Sequence, residues 1–149
     1  MLPVRSFSTI PAGVNESFAI VKSLDPSFET QGVMLFRNIF TAAPDALQLF
    51  SFRDVPNLYE SPALKRHGAG VFKAVEKALN DLEGAIGYLE KLGGTHVAKD
   101  VKPAHYTVVR DAVLLTLEQG LGDKFTAPLR AEWTAILDKV IAVMTKDRY

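Results

Sequence analysis

Cysteine is missing from all 149 residues of the chain. That single absence removes disulfide frameworks, thiolate metal sites and cysteine nucleophiles. Histidine is scarce, with His67, His96 and His105 the whole supply. Net charge is also absent, because 17 Lys+Arg balance 17 Asp+Glu. No bulk field therefore draws the chain to nucleic acid or to an anionic membrane. No stretch approaches the ~18 apolar residues that a membrane span needs. Strict alternation of apolar and polar residues is lacking too, so nothing argues for a strand. There is no internal repeat and no low-complexity segment.

What is present is an ordinary globular mix, 48% hydrophobic and 23% charged. The length reads as one domain, and a chain of about 150 residues removes roughly 70% of its unfolded surface from water. The first fifteen residues, MLPVRSFSTIPAGVN, hold one Arg and no acid and are broken by Pro3, Pro11 and Gly13. They read as a flexible tail, with residues 16–149 as the domain. A mitochondrial presequence has a similar Arg- and Ser-bearing, acid-poor composition. The expected location is therefore cytoplasmic, with mitochondrial as the alternative.

From Glu16 onward the apolar spacing is helical. Phe18, Val21 and Leu24 mark a short first helix. Pro26–Thr41 carries Phe28, Gly32, Leu35, Phe36, Ile39 and Phe40. A short helical turn surrounds Pro44, and residues 53–60 read as loop. Ser61-Pro62 is a strong start, with Ser as cap and Pro in the first turn. One helical face then runs from Leu64 through Val71, Val75 and Leu79, with an interruption at Gly84. A second run through Ile86, Leu89 and Leu92 closes at Gly93-Gly94. Pro103 opens the next helix, ending near Gly120 and Gly122, and Thr126 caps the last. The fold class is all-α, with six to eight helices joined by short loops.

His67 has Leu64 three residues before it and Val71 four after. His96 follows Leu89 by seven and Leu92 by four. Both imidazoles therefore project from apolar faces. Each is open to two readings. One is a core histidine hydrogen-bonded to a carbonyl; the other is a ligand for a guest shared between two helices. A bare zinc ion suits them poorly, because structural zinc takes four protein ligands and catalytic zinc usually three. Haem asks for one or two axial ligands and a large apolar slot, which Phe36, Phe50, Val71 and Leu92 are suited to line.

At this point the chain resembles the globin family from about Glu16 to Met144. Phe36 is followed after eight residues by Pro44 and after fourteen by Phe50. His67 precedes Val71 by four, Leu92 precedes His96 by four, and Trp133 sits in "RAEW". The stretches "MLFRNIFTAAPDALQLF", "SPALKRHGAGV", "YLEKLGGTH" and "LGDKFTAPLRAEW" are closest to the neuroglobin-like branch.

The resemblance implies a three-over-three helical sandwich around haem b, lacking the extra helix that some relatives have after Phe50. It implies His96 as the proximal and His67 as the distal residue, both able to ligate iron. It also implies haem contacts from Phe36, Leu49, Phe50, Phe52, Val71, Tyr88, Leu92, Val101, Tyr106, Val109 and Val140. Gly32 and Gly68 would let two helices cross closely. Gly70 departs from the pattern, standing where many relatives place a basic residue toward a haem propionate. Arg53, Lys65, Arg66 and Lys99 are the substitutes on offer. His105 reads as a surface residue.

The expected function is reversible binding of dioxygen, carbon monoxide and nitric oxide, with a six-coordinate bis-histidyl resting iron. A five-coordinate oxygen carrier is one alternative. Nitric oxide dioxygenation or nitrite reduction with an external reductase is another, and a dedicated enzyme is not expected. Monomer and dimer are both compatible with the sequence. A sensor working through a partner protein has no motif in its favour.

Overall fold

A computed structural model describes residues 10–149. The described residues hold six α-helices and no strand. They are α1 (Ala12–Leu24), α2 (Glu29–Ala42), α3 (Pro62–Asn80), α4 (Leu82–Ala98), α5 (Pro103–Leu121) and α6 (Ala127–Thr145). Short 3-10 segments cover Pro44–Leu49, Leu58–Glu60 and Gly122–Lys124. No α-helix separates Phe50 from α3, as expected from the shortened segment there.

Four helix ends differ from the sequence reading. α1 begins at Ala12, one turn before Glu16, with Pro11 preceding it and Val14 fully buried. Residues 12–15 therefore belong to a helix and not to the expected tail, whose residues 1–9 lie outside the described residues. α2 begins at Glu29 and not Pro26, because Asp25 takes over the capping. Its carboxylate accepts from the Ser27 amide (3.1 Å) and the Thr30 amide (2.9 Å). Phe28 just ahead of α2 has φ 64° and is buried. The break between α3 and α4 falls at Asp81, whose side chain accepts from the Gly84 amide at 3.0 Å. The interruption is thus a cap that uses Gly84 as its partner. Finally, α4 runs through Gly93-Gly94 to Ala98.

Other ends follow the sequence reading. Ser61 accepts from the Leu64 amide at 3.4 Å, and Thr126 from the Leu129 amide at 3.3 Å. Each satisfies one of the donors that a helix start leaves unpaired.

α1, α3 and α4 form one layer and α2, α5 and α6 the other, with α2 crossing α3 and α4 crossing α6. The α2–α3 crossing is glycine on glycine. A Cβ on Gly32 would sit 2.6 Å from the Gly68 carbonyl carbon, and one on Gly68 2.5 Å from the Gly32 Cα. On the α1 side the layers are joined by a ring series. Trp133 meets Phe18 at 6.1 Å, Phe18 meets Phe28 at 5.6 Å, and Phe28 meets Phe72 at 5.9 Å. Trp133 is fully buried, and its indole N–H donates to Ser17 Oγ at 2.9 Å. That bond satisfies the one polar atom that burial of the ring would otherwise strand.

The glycine crossing can be tested by filling it. Gly68→Ala or Gly32→Ala must push two backbones apart, an overpacking that costs about 1–3 kcal/mol. The melting temperature should then fall by several degrees. Gly87 is the contrast, since a methyl group there would meet nothing within 4 Å. Gly87→Ala should gain about 0.5–1 kcal/mol through helix propensity. Equal melting of Gly68→Ala and the parent protein would show that the close crossing does not hold the layers.

The Asp25 cap makes a prediction about acid. The Thr30 amide above all, then the Ser27 and Thr30 hydroxyls, hold the Asp25 carboxyl well below the usual carboxylate range. A depressed carboxyl contributes stability above its unfolded value of 3.8. That contribution is lost as pH falls through the folded value. Asp25→Ala should therefore be less stable than the parent at pH 7, and the gap between them should shrink as pH falls below 3.8 and close only once pH has passed the depressed folded value. A difference that stays constant down to pH 2 would contradict the assignment.

Candidate functional site

The buried core comes in two parts. The larger includes Phe36, Phe40, Phe52, Leu64 and Phe72, with Phe50, Val71 and Val109 partly buried against it. The smaller holds Ala85, Leu89, Tyr106 and Met144, with Leu92, Val101 and Val140 partly buried. One histidine stands at the edge of each part.

His67 lies on α3 beside the larger cluster. Its ring meets Phe50 at 5.2 Å, Phe36 at 5.6 Å and Phe52 at 6.4 Å, all edge-on. Part of the imidazole surface stays exposed while these three rings close round the rest. No hydrogen bond to a described residue holds it. Burial among the rings pushes its pKa below the ordinary histidine value, and the charges of His96 and Lys99 push it the same way.

His96 is held quite differently. Its Nδ1 lies 2.7 Å from the Leu92 carbonyl oxygen, one turn back on α4. A carbonyl only accepts, so Nδ1 carries the proton and Nε2 keeps its lone pair. A histidine fixed in this way is a ready metal ligand. Its ring also meets Tyr106 at 5.9 Å. Tyr106 is 7% exposed, and burial pushes its hydroxyl up to about 12. The Tyr149 hydroxyl beside it donates instead to the Val101 carbonyl at 2.5 Å. Among the described residues no group of three or more His, Cys, Asp or Glu side chains is placed to hold a bare metal ion.

Other expected site residues fall into three groups. Phe36, Phe50, Val71 and Val109 belong to the larger cluster, and Leu92, Val101, Tyr106 and Val140 to the smaller. Leu49 is half-buried at the end of its 3-10 segment. Tyr88 stands apart from both clusters, 41% exposed, with the Lys77 ammonium 5.1 Å from its ring centre. Of the four basic candidates, Lys65 pairs with Glu60 at 3.9 Å and Arg53 with Asp54 at 3.8 Å. Lys99 is the one whose charge reaches His67.

Three contributions go beyond what the sequence displays. Gly93 is the point where α4 crosses α6, and a Cβ there would run into the Met144 carbonyl oxygen. His105 is more than a surface residue, since its Nδ1 accepts from the Lys102 amide at 2.8 Å at the start of α5. Arg148 donates to the Glu90 carbonyl at 2.6 Å, tying the chain end to α4. A glycine pair mid-helix is the only signal for the first of these, and it also fits a helix stop.

The globin family model matches residues 33–144. The chain belongs to the globin family. Leghemoglobin-1 of Lupinus luteus is 32% identical to this globin over 87% of the chain and 91% of the relative. An anaerobic nitrite reductase of Arabidopsis thaliana is 33% identical over 89% and 88%. Neuroglobin of Tetraodon nigroviridis is 30% identical over 83% and 82%. The fold matches a solved Drosophila melanogaster globin with a TM-score of 0.82 at 18% identity, covering 97% and 94% of the two chains. Family membership brings haem and, through haem, the binding of gaseous ligands such as oxygen. None of the described helices of this globin is long and apolar enough to cross a membrane.

Gly93→Ala tests whether the α4–α6 crossing supports His96. Destabilisation of about 1–3 kcal/mol is expected from the overpacking, together with weaker haem retention in a haem-transfer assay. Unaltered haem retention in a clearly destabilised Gly93→Ala protein would separate the crossing from the site.

Proposed function

We propose that this globin binds haem b between His96 and His67, and that it stores or senses dioxygen or does redox work with small diatomic gases. The observation that carries the reading is the His96–Leu92 bond. It orients one neutral imidazole with a free Nε2 at the edge of an apolar wall. In this reading His67, beside the Phe36, Phe50 and Phe52 edges and with no hydrogen bond to a described residue, is the second histidine toward the haem. When bound, iron protoporphyrin IX supplies four ring nitrogens to its iron and leaves two axial positions.

In this reading His96 is the permanent ligand. His67 is a displaceable one, giving a six-coordinate resting state. Phe36, Phe50, Val71 and Val109 line the distal wall, and Leu92, Val101, Tyr106 and Val140 the proximal wall. Both walls exclude water from the reacting centre. Lys99, at the end of α4 three residues past His96, is taken as the cation toward a propionate. Gas affinity is then reduced by the fraction of protein in which His67 stands aside. That disfavours bulk oxygen carriage.

Similarity to the Arabidopsis nitrite reductase favours a second reading, nitrite reduction or nitric oxide dioxygenation with electrons from a separate reductase. Steady turnover with such a reductase would support it. Tight, reversible oxygen binding without turnover would not.

The visible spectrum of the reduced, gas-free protein is the direct test. Split, sharp low-spin bands are expected, and His67→Leu should replace them with one broad high-spin band. A broad band in the parent protein would mean a five-coordinate carrier. His96→Ala should lose most of its haem affinity, and full haem retention would overturn the ligand assignment.

A further inference from the structure

Phe52, expected among the haem contacts, is packed among the rings beside His67. It is 5% exposed. Its ring stacks on Phe50 at 5.1 Å with an interplanar angle of 19°. It stands edge-on to Phe36 at 5.7 Å and to His67 at 6.4 Å. The Phe52 carbonyl accepts from the Val55 amide at 3.1 Å, which fixes its backbone in a tight turn between two 3-10 segments.

Resting on the six-coordinate reading above, we propose that Phe52 is a positioning residue that restrains His67 and thereby sets the share of the protein open to gas. His67 makes no hydrogen bond to a described residue, so packing alone restricts its rotation. Its helical backbone excludes one of the three χ1 wells for steric reasons. Which of the remaining orientations the ring takes depends on its neighbours. Those neighbours are the edges of Phe36, Phe50 and Phe52. Phe36 is carried by α2, whose place is set by the glycine crossing. Phe52 touches both of the other rings and His67 at once. Removing its ring therefore frees space next to the imidazole and loosens the ring that stacks on it. An imidazole with more room spends more time away from the position opposite His96.

The test compares haem-loaded parent, Phe52→Leu and Phe52→Ala proteins. Phe18→Leu is the control, since Phe18 is equally buried but packs against Phe28 and Trp133. Three quantities are read: the low-spin fraction of the reduced spectrum, the rate of carbon monoxide capture after flash photolysis, and the melting temperature. The low-spin fraction should fall in the order parent, Leu, Ala. Carbon monoxide capture should speed up by between about twofold and tenfold, the range that one lost aromatic contact spans. Phe18→Leu should lower the melting temperature and leave the spectrum and the capture rate alone.

A low-spin parent whose Phe52 variants keep its spectrum and capture rate would overturn the proposal and leave the six-coordinate reading standing. The same shift in Phe18→Leu would also overturn it, since the effect would then follow general destabilisation. A high-spin parent indistinguishable from His67→Leu would overturn both. If Phe52→Ala does not fold, the parent–Leu comparison still decides, because a shift in the same direction is required there.

Discussion

The architecture depends on one close approach, the meeting of α2 and α3 at Gly32 and Gly68. A side chain at either position would overlap the opposite backbone. Glycine within a helix costs about 1 kcal/mol relative to alanine, so two of them are a real local penalty. The return is position. Phe36 lies one turn beyond Gly32, and His67 immediately precedes Gly68. The crossing therefore delivers a phenylalanine edge to the His67 imidazole, with centroids 5.6 Å apart. It also lets Phe28 of the α2 approach stack on Phe72 of α3 at 5.9 Å, a contact that helps to offset the glycine penalty.

A second glycine does the same work on the other side. Gly93 brings α4 against the Met144 backbone of α6. His96 is three residues further along α4. The two histidines thus stand on helices whose distances are set by backbone contact and not by adjustable side chains. Their own restraints differ in kind. His96 is tied by a hydrogen bond to its own helix, while His67 meets three phenylalanine edges on its covered side, stays exposed elsewhere and has no hydrogen bond to a described residue. In the proposed site one imidazole would be fixed and the other releasable.

Much of this is legible in the residues. The caps at Ser61 and Thr126 follow from local chemistry that a sequence displays, while the close crossing at Gly32 and Gly68 is legible only through the resemblance to globins. Where the structure departs from the sequence reading, the cause is shared: a residue with two structural uses. Gly93-Gly94 can stop a helix or let one helix touch another, and only α6 decides between them. Pro26 can open a helix, but Asp25 captures the Ser27 and Thr30 amides first and delays the start to Glu29. Gly84 breaks a helical pattern, yet the break belongs to Asp81. Phe52 could face a cofactor or a neighbouring ring, and its burial beside Phe50 and His67 cannot be read from spacing.

The apolar setting of His67 links packing to chemistry. An imidazole coordinates a metal only through a free lone pair, hence in its uncharged form. Phenylalanine rings offer no hydrogen bond to a protonated ring and little solvation, and they hold His67 uncharged to lower pH than water would. In the proposal above, the same rings also limit where that neutral ring can turn. The affinity of such a site for an outside ligand scales with the fraction of molecules in which the internal imidazole is displaced. In a chain with no cysteine and no net charge, contacts between hydrocarbon rings are what the proposal makes responsible for that fraction.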